Sequence, residues 1–435
     1  MGARETALNV LIACRREDGW SNGVLKETLQ RDGLDRREAA LATRLCYGIL
    51  QNRITLDFYL KQLLTGKIKD LHPALRDILH LGLYQLYMMD KIPESAAVNE
   101  SVTLAKKYCR KQRNASGLVN AVLRNAVRRK EELKKPKTLE QRYSHPQKLI
   151  DLLGKSLGKE KLEPMLRANN EIPPTVVQVN TLKITTEELL EKLKEEGAEA
   201  QKHPWLENCL VLSATGNLER SPAFREGLYY VQDAAAKLSV LCAQLPQNAR
   251  VLDCCSAPGG KSFAAAMEGA GEIISCDIYP HKAELIKNGA ARLGIKNLTA
   301  MVQSGTDYNP QWEKTMDAVI ADVPCSGYGI IRKKPDIRYK DPNKMKDLPE
   351  LQKAILENQA RYVKPGGLLL YSTCTLLREE NEDVVTAFLS NHPEFSLEKL
   401  PLPAVFPENT TGMLTLIPGE YDTDGFFISR LRRKL

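Results

Sequence analysis

Two cysteines that follow apolar runs are the side chains of this sequence best suited to covalent chemistry. Cys325 lies in DVPCSGYG and Cys374 lies in YSTCT. The thiolate is the nucleophilic form of cysteine, and at an ordinary pKa of roughly 8.5 a few per cent is ionised at neutral pH. A single cysteine is more often a small buried apolar residue. Two cysteines at the ends of neighbouring predicted strands indicate a reactive pair, although the residues alone do not say which one attacks.

A loop with two adjacent glycines, DCCSAPGGK at residues 253–261, follows a predicted strand and precedes a predicted helix. In a doubly wound sheet this turn binds nucleotide-like ligands, and glycines let a ligand approach the backbone. The dinucleotide pattern GxGxxG is absent, and a phosphate loop would need glycine at position 255. A plain structural turn is the alternative interpretation. The candidate ligand contacts here are Cys255, Ser256, Ala257, Pro258, Gly259, Gly260 and Lys261.

Three aspartates follow later strands of the same predicted sheet. Asp277 ends the next strand, where a carboxylate suits hydrogen bonding to ribose hydroxyls, as it also does in dehydrogenases. Asp307 follows the third strand and would meet the adenine end of such a ligand, although an ordinary turn aspartate explains it almost as well. Asp322 ends the fourth strand, beside a proline turn, where a carboxylate can contact a planar base. The candidate site is therefore the carboxyl edge of a parallel sheet.

The spacing of apolar residues divides the chain into three segments that must position these groups. Residues 1–133 show three- and four-residue spacing throughout, which predicts an all-α bundle of five to seven helices. Residues 142–245 mix helical patterns with β-branched runs, which predicts a small α+β region. In residues 246–435 short apolar runs alternate with helical stretches, which predicts a parallel α/β sheet. The runs MLTLIPG and GFFISRL predict a closing pair with an antiparallel strand at the sheet edge.

The formal net charge is +8, and basic residues are dense between positions 106 and 130. An excess of this size favours an anionic partner without requiring one. The basic run is explained equally well as a solvated face or as a surface that contacts RNA phosphates.

Compartment and metal content follow from other features of the composition. No apolar run approaches the roughly 20 residues that cross a bilayer, and the first residues lack the apolar core of a signal peptide. We therefore expect a cytoplasmic protein with no membrane partner. The ten cysteines are spread along the chain without a CxxC pair, and the six histidines lie far apart. This pattern predicts reduced thiols and no metal site.

The motifs DCCSAPGGK, DVPCSGYG and STCT, in this order, closely resemble those of RNA cytosine-5 methyltransferases of the RsmB type, also called Sun or Fmu. This type acts on bacterial 16S ribosomal RNA. The stretches VNESVTLAKKY and ASGLVNAVLR resemble the NusB-like RNA-binding domain, and VQVNTLK and GLYYVQDAAAKL resemble the middle segment. The resemblance covers essentially the whole chain. It implies a NusB-like bundle (1–133), a small RNA-positioning region (142–245) and a Rossmann-like methyltransferase domain (246–435).

The same resemblance implies a mechanism, with S-adenosylmethionine as methyl donor and carbon 5 of a cytosine as acceptor. Cys374 would add to carbon 6, Asp322 would contact the ring nitrogen and amino group, and Cys325 would assist release. Residues 255–261, Asp277 and Asp322 match the cofactor pattern, whereas Asp307 aligns only after a shift. The target base must leave its stack to reach Cys374, which favours a loop or single-stranded nucleotide. We expect a monomer that needs no metal.

Two alternatives remain at this stage. The same chemistry on another RNA, such as transfer RNA, is disfavoured by the NusB-like region. An RNA-binding assembly or antitermination factor with an inactive catalytic fold is disfavoured by the intact glycine loop, Asp322, Cys325 and Cys374.

Overall fold

The computed structural model describes residues 2–17, 21–213 and 217–435. The chain forms two compact units. Unit 1 contains Met1–Asn170 and Lys333–Lys340, and unit 2 contains Glu171–Arg332 and Asp341–Leu435. Each of the ten cysteines is free. In the described ranges, none of the helices has the length and apolar character needed to span a membrane.

Unit 1 is a helical bundle. Apolar periodicity predicted its helices within residues 1–133, whereas the helices Gln147–Leu157 and Lys159–Ala168, which were expected in the α+β region from residue 142, also belong to this unit. The central helix α4 is buried on almost every side from Ala74 to Leu86, which explains its nearly continuous apolar sequence. The helices are α1 (Ala3–Glu17), α2 (Ser21–Asp32), α3 (Arg36–Leu63), α4 (Pro73–Met88), α5 (Glu94–Tyr108), α6 (Ala115–Arg128), α7 (Leu139–Tyr143), α8 (Gln147–Leu157) and α9 (Lys159–Ala168).

A buried arginine accounts for the inclusion of residues 333–340 in unit 1. Arg338 is 1% exposed, and its Nη1 donates to the carbonyl oxygen of Gln51 at 2.8 Å and to Oδ1 of Asn170 at 2.9 Å. Burial lowers the pKa of this guanidinium to about 10. The buried guanidinium donates hydrogen bonds to neutral oxygens of the bundle and so fixes residues 333–340 to it. The local sequence pattern did not predict this attachment.

The middle part of the chain forms a four-stranded antiparallel sheet in unit 2, with the order β2-β3-β1-β4. Its helix α10 begins with a capping box, since Glu188 N–H donates to Thr185 Oγ1 at 3.3 Å and Thr185 N–H donates to Glu188 at 2.9 Å. Strand β2 is polar and largely exposed, so no apolar pattern predicted it. The elements are β1 (Thr175–Val179), α10 (Thr186–Glu195), β2 (Glu199–Lys202), β3 (Cys209–Ser213), α11 (Pro222–Arg225) and β4 (Tyr229–Val231).

The second sheet of unit 2 carries the predicted motifs. Along its central strand, Val251 packs into the apolar cluster of one face and Leu252 into that of the other, so helices cover both faces. The elements are α12 (Ala234–Leu241), β5 (Arg250–Asp253), α13 (Gly260–Met267), β6 (Glu272–Asp277), α14 (Pro280–Leu293), β7 (Leu298–Val302), β8 (Met316–Asp322), α15 (Leu348–Ala360), β9 (Val363–Thr373), α16 (Glu382–Asn391), β10 (Phe395–Leu397), β11 (Met413–Leu416) and β12 (Phe426–Arg433).

The strand order of this sheet is β10-β12-β9-β8-β5-β6-β7, with β11 paired to β12. Strands β5 to β9 are mutually parallel, and β12 is antiparallel to β9. The predicted antiparallel strand is present, but its predicted edge position is wrong, because the short strand β10 lies outside it. The parallel strands bring their carboxyl ends, and the residues that follow them, to one edge of the sheet.

Candidate active site

The glycine loop joins β5 to α13 at this edge. Ser256 N–H donates to the carbonyl oxygen of Cys276 at 2.8 Å, which fastens the loop to β6. Gly259 has φ +110°, and a Cβ there would lie 2.4 Å from Cζ of Phe263, so only glycine fits. The N–H groups of the first turn of α13 have no acceptor within the helix and are available to a ligand. Of the predicted contacts, Ser256, Gly259 and Lys261 are buried, Cys255, Ala257 and Gly260 are half-buried, and Pro258 is exposed.

A cluster of one carboxyl and several hydroxyl groups, missed by sequence analysis, supports the loop from beneath. Asp253 is fully buried, and its Oδ2 accepts a hydrogen bond from Ser262 Oγ at 2.8 Å. Ser275 Oγ donates to Ser262 Oγ at 2.7 Å. Asp253 Oδ1 has no hydrogen-bond partner among the residues that the structure describes. Burial raises the pKa of Asp253 to about 6, so this carboxyl titrates much nearer neutrality than usual.

Asp277 ends β6 at the position where a ribose-binding carboxylate was predicted. It is 6% exposed, its Oδ1 accepts the N–H of Tyr279 at 3.1 Å, and Lys282 Nζ lies 3.8 Å from its Oδ2. The neighbouring Ile278 and Tyr279 are large side chains, yet they are 56% and 51% exposed. The carboxylate can accept hydrogen bonds from ribose hydroxyl groups, and the exposed apolar surface beside it can contact a purine. These two features fit the adenosine part of S-adenosylmethionine.

Asp307 follows β7 in an exposed turn. Its carbonyl oxygen accepts hydrogen bonds from Asn358 Nδ2 at 3.1 Å and Tyr362 OH at 3.2 Å. Its carboxylate receives no hydrogen bond from the described residues. The structure therefore holds the backbone of Asp307 firmly and leaves its side chain in solvent.

Asp322 ends β8 and is held by two side chains. Lys261 Nζ lies 2.5 Å from its Oδ2, and Ser372 Oγ donates to its Oδ1 at 2.8 Å. The side chain of Lys261 is only 9% exposed, and its ammonium group lies 5.0 Å from the ring centroid of Phe426. The last residue of the glycine loop thus contacts Asp322, a pairing that sequence analysis missed. The two contacts orient one carboxylate at the edge of the sheet.

The two predicted cysteines lie side by side. Their Sγ atoms are 2.9 Å apart, and Cys374 N–H donates to Cys325 Sγ at 3.2 Å. The contact with Cys374, burial, and the nearby carboxylates of Glu380 and Asp322 raise the pKa of the Cys325 thiol well above its usual value. The adjacent parallel strands β8 and β9 bring the pair together, since Asp322 and Ser372 are register partners. The structure thus joins Asp322, Cys325 and Cys374 in one cluster.

The turn after Cys325 is locked against Cys374 by backbone contacts. Gly329 N–H donates to the carbonyl oxygen of Cys374 at 2.9 Å, and Gly425 N–H donates to the carbonyl oxygen of Gly329 at 2.8 Å. A Cβ at position 329 would lie 2.0 Å from the carbonyl oxygen of Gly425. This close approach explains the second glycine of DVPCSGYG.

The fold and the site place this protein in the class of S-adenosylmethionine-dependent methyltransferases. The defining features are a doubly wound sheet with an antiparallel β12, a glycine loop after β5 and a carboxylate after β6. The chain belongs to the RsmB/F family of 16S rRNA methyltransferases. The family model "16S rRNA methyltransferase RsmB/F" matches residues 240–432, the NusB family matches residues 1–128, and an RsmF/B-like ferredoxin-like domain matches residues 145–219.

Relatives along the full chain agree with this assignment. The chain is 36% identical to the "Probable ribosomal RNA small subunit methyltransferase B" of Bacillus subtilis, over 99% of this chain and 98% of the relative. It is 33% identical to "Ribosomal RNA small subunit methyltransferase B" of Klebsiella pneumoniae, over 96% and 95%. The crystal structure of PH0851 superposes with a TM-score of 0.83 at 28% identity, over 99% and 98%. The predicted family and the three-part fold are thereby confirmed.

Proposed function

We propose that this protein transfers a methyl group from S-adenosylmethionine to carbon 5 of a cytosine in 16S ribosomal RNA, through a covalent Cys374 adduct. The observation that carries the proposal is the Cys325–Cys374 sulfur pair, 2.9 Å apart and beside Asp322. Methylation of ribosomal RNA follows from the family and from the names of its relatives. The cytosine and its carbon 5 are what the resemblance of the motifs to those of RNA cytosine-5 methyltransferases implies, and two thiols beside a carboxylate suit that chemistry.

In the first step the Cys374 thiolate adds to carbon 6 of the base, which makes carbon 5 electron-rich. Asp322 contacts the ring nitrogen and the amino group: its carboxylate accepts hydrogen bonds from the amino group and from a proton on the ring nitrogen, so that addition of the thiolate leaves the ring neutral. The orientation of Asp322 is set by Lys261 and Ser372, so the base meets a carboxylate already in position. Carbon 5 then takes the methyl group.

In the second step the proton on carbon 5 passes to a water molecule acting as base, its electron pair re-forms the double bond between carbons 5 and 6, and the bond between Cys374 Sγ and carbon 6 breaks, which releases the methylated base and the Cys374 thiolate. The raised pKa of Cys325 keeps this residue in its thiol form. A thiol 2.9 Å from Cys374 Sγ can donate a hydrogen bond to the departing thiolate, which lowers the barrier to elimination. The assignment of Cys374 as the nucleophile and of Cys325 as the residue that assists release rests on the resemblance of the motifs STCT and DVPCSGYG, and the contact between the two sulfur atoms suits these roles.

When bound, S-adenosylmethionine supplies an electrophilic methyl group on a sulfonium. We assign its binding to residues 255–260 and to Asp277, with the exposed surface of Ile278 against the adenine. Lys261 and Asp322 border the same loop. Asp307 stays a weaker candidate, because its exposed carboxylate is not oriented by a neighbouring side chain among the described residues.

We further propose that residues 1–133 and 142–245 position the RNA, mainly through its phosphates, and that residues 246–435 carry out the chemistry. The basic run is exposed, which suits phosphate contacts. We propose a cytoplasmic monomer. The exposed members are Lys106, Lys107, Arg110, Lys111, Arg113, Arg124, Arg128 and Lys130, of which Lys107 also pairs with Glu5.

The test uses purified protein, methyl-labelled S-adenosylmethionine, and unmethylated 16S ribosomal RNA or transfer RNA. After digestion to nucleosides, mass spectrometry should find the label in 5-methylcytidine from 16S RNA only. Label in another nucleoside would overturn the proposed chemistry. Label in transfer RNA only would overturn the proposed substrate. If a Cys374→Ala protein leaves the same methylation in place, the covalent mechanism is wrong.

A further inference from the structure

Glu380 is a buried carboxylate that lies behind the two cysteines and was not singled out from the sequence. It ends the 3-10 turn Arg378–Glu380, between β9 and α16, and is 2% exposed. Its carbonyl oxygen accepts a hydrogen bond from Tyr371 OH at 2.6 Å, which fixes its backbone. Burying a carboxylate is unfavourable unless its oxygens accept hydrogen bonds. The groups that donate these bonds therefore show which parts of the chain the carboxylate holds in place.

The donors come mainly from the loop that carries Cys325. Glu380 Oε2 accepts the N–H of Ser326 at 3.0 Å and Nε2 of Gln352 at 2.8 Å. The same Gln352 nitrogen also donates to the carbonyl oxygen of Pro324 at 2.9 Å. Both neighbours of Cys325 in the sequence are therefore fixed, one directly by Glu380 and one through Gln352.

The loop that carries Cys374 joins the same network. Thr375 Oγ1 lies 2.7 Å from Ser326 Oγ and donates more weakly to Glu380 Oε1 at 3.5 Å. The carboxylate is thus the common acceptor of two loops whose sulfur atoms are in contact. The stronger bonds are on the Cys325 side.

We propose that Glu380 is a positioning residue of the methyl transfer, holding the Cys325 loop so that its thiol stays against Cys374 during product release. The inference rests on the proposed function, because it assigns Glu380 to the release step of that mechanism. Removing the acceptor frees the backbone of Ser326 and moves Cys325 away from the departing sulfur. Release then slows, while formation of the Cys374 adduct is spared.

The test compares Glu380→Met, which has no acceptor, with Glu379→Met at the neighbouring exposed position. Steady-state methylation of 16S RNA and denaturing gels for RNA–protein adduct are run side by side. We expect Glu380→Met to lower kcat about 30-fold, as loss of hydrogen bonds to a charged group does, with unchanged KM for RNA. Adduct should accumulate in this variant only. Glu380→Gln, which keeps one acceptor oxygen, should restore kcat to within about threefold of the control.

Equal kcat in Glu380→Met and Glu379→Met would overturn the assignment, and so would a fall in kcat without adduct. If Glu380→Met loses its cooperative thermal transition, the same measurements of kcat and adduct are made on Gln352→Leu instead. Adduct accumulation in Gln352→Leu supports the network, and turnover like wild type overturns it. Failure of the proposed function itself looks different, since wild-type protein would then form no 5-methylcytidine and Cys325→Ala would trap no adduct.

Discussion

Removing the hydroxyl of Ser372 tests how Asp322 is oriented. Ser372 is fully buried, and its Oγ donates to Asp322 Oδ1 at 2.8 Å across the β8–β9 register. A hydrogen bond to a charged group contributes about 1.5–3 kcal/mol. With Lys261 still paired to Asp322, the carboxylate keeps its charge partner and loses its fixed orientation. We therefore expect Ser372→Ala to lose about 2 kcal/mol of transition-state stabilisation, which lowers kcat/KM for RNA roughly 30-fold.

Ser429→Ala is the matched control for this experiment. Ser429 is equally buried on the adjacent strand β12, where it is the register partner of Tyr371. Its hydroxyl has no hydrogen-bond partner among the described residues, so its removal should leave turnover unchanged. Initial rates of methylation are measured for both variants, with thermal unfolding to check the fold. A Ser372→Ala rate within threefold of the control would refute the proposed orientation of Asp322.

Three further expectations concern the same edge of the sheet. The pKa of Asp253 is about 6 in the folded protein against 3.8 unfolded, so its contribution to stability is present below pH 4 and lost as the pH rises through 6. In urea unfolding, the free energy of unfolding of Asp253→Asn should exceed that of wild type by an amount that grows from pH 5 to pH 7, towards about 3 kcal/mol. A difference that does not change with pH would contradict this expectation. Hydrogen peroxide should oxidise Cys325 and Cys374 to a disulfide while it is reduced to two waters, because sulfurs 2.9 Å apart need close only to about 2.05 Å. Peptide mapping should find that crosslink and dithiothreitol should restore activity, whereas inactivation without the crosslink would count against it. Gly259→Ala, which places a Cβ 2.4 Å from Phe263, should weaken binding of S-adenosylmethionine at least tenfold by calorimetry, and unchanged affinity would show that the loop tolerates a side chain.

The sequence predicted those parts of the site that depend on where strands end. Cys325 and Cys374 each follow an apolar run, and parallel strands place such residues on one edge, so their proximity could be anticipated. The ion pair between Lys261 and Asp322 could not be, because it joins residues 61 positions apart whose local patterns are unrelated. Glu380 gave no signal either. It lies in the acidic run Glu379–Glu382 before a helix, where carboxylates are usually solvated and favourable to the helix N-terminus.

The fold shows the same division between local and long-range information. Apolar periodicity predicted the helices within residues 1–133 and the five parallel strands, because each pattern is local. Strands β2 and β10 escaped prediction, since one is polar and exposed and the other has only three residues. The placement of residues 333–340 in unit 1 depends on the buried guanidinium of Arg338, and a basic residue in a basic stretch does not predict burial.

The most direct test of the central proposal is the covalent intermediate itself. Cys325→Ala and Cys374→Ala proteins are incubated with unmethylated 16S ribosomal RNA and S-adenosylmethionine and run on a denaturing gel. A slowly migrating RNA–protein adduct with Cys325→Ala alone is the predicted result, since that variant can attack but releases product slowly. Adduct with Cys374→Ala alone would exchange the roles of the two cysteines. No adduct with either variant, where wild type methylates the RNA, would contradict the covalent mechanism.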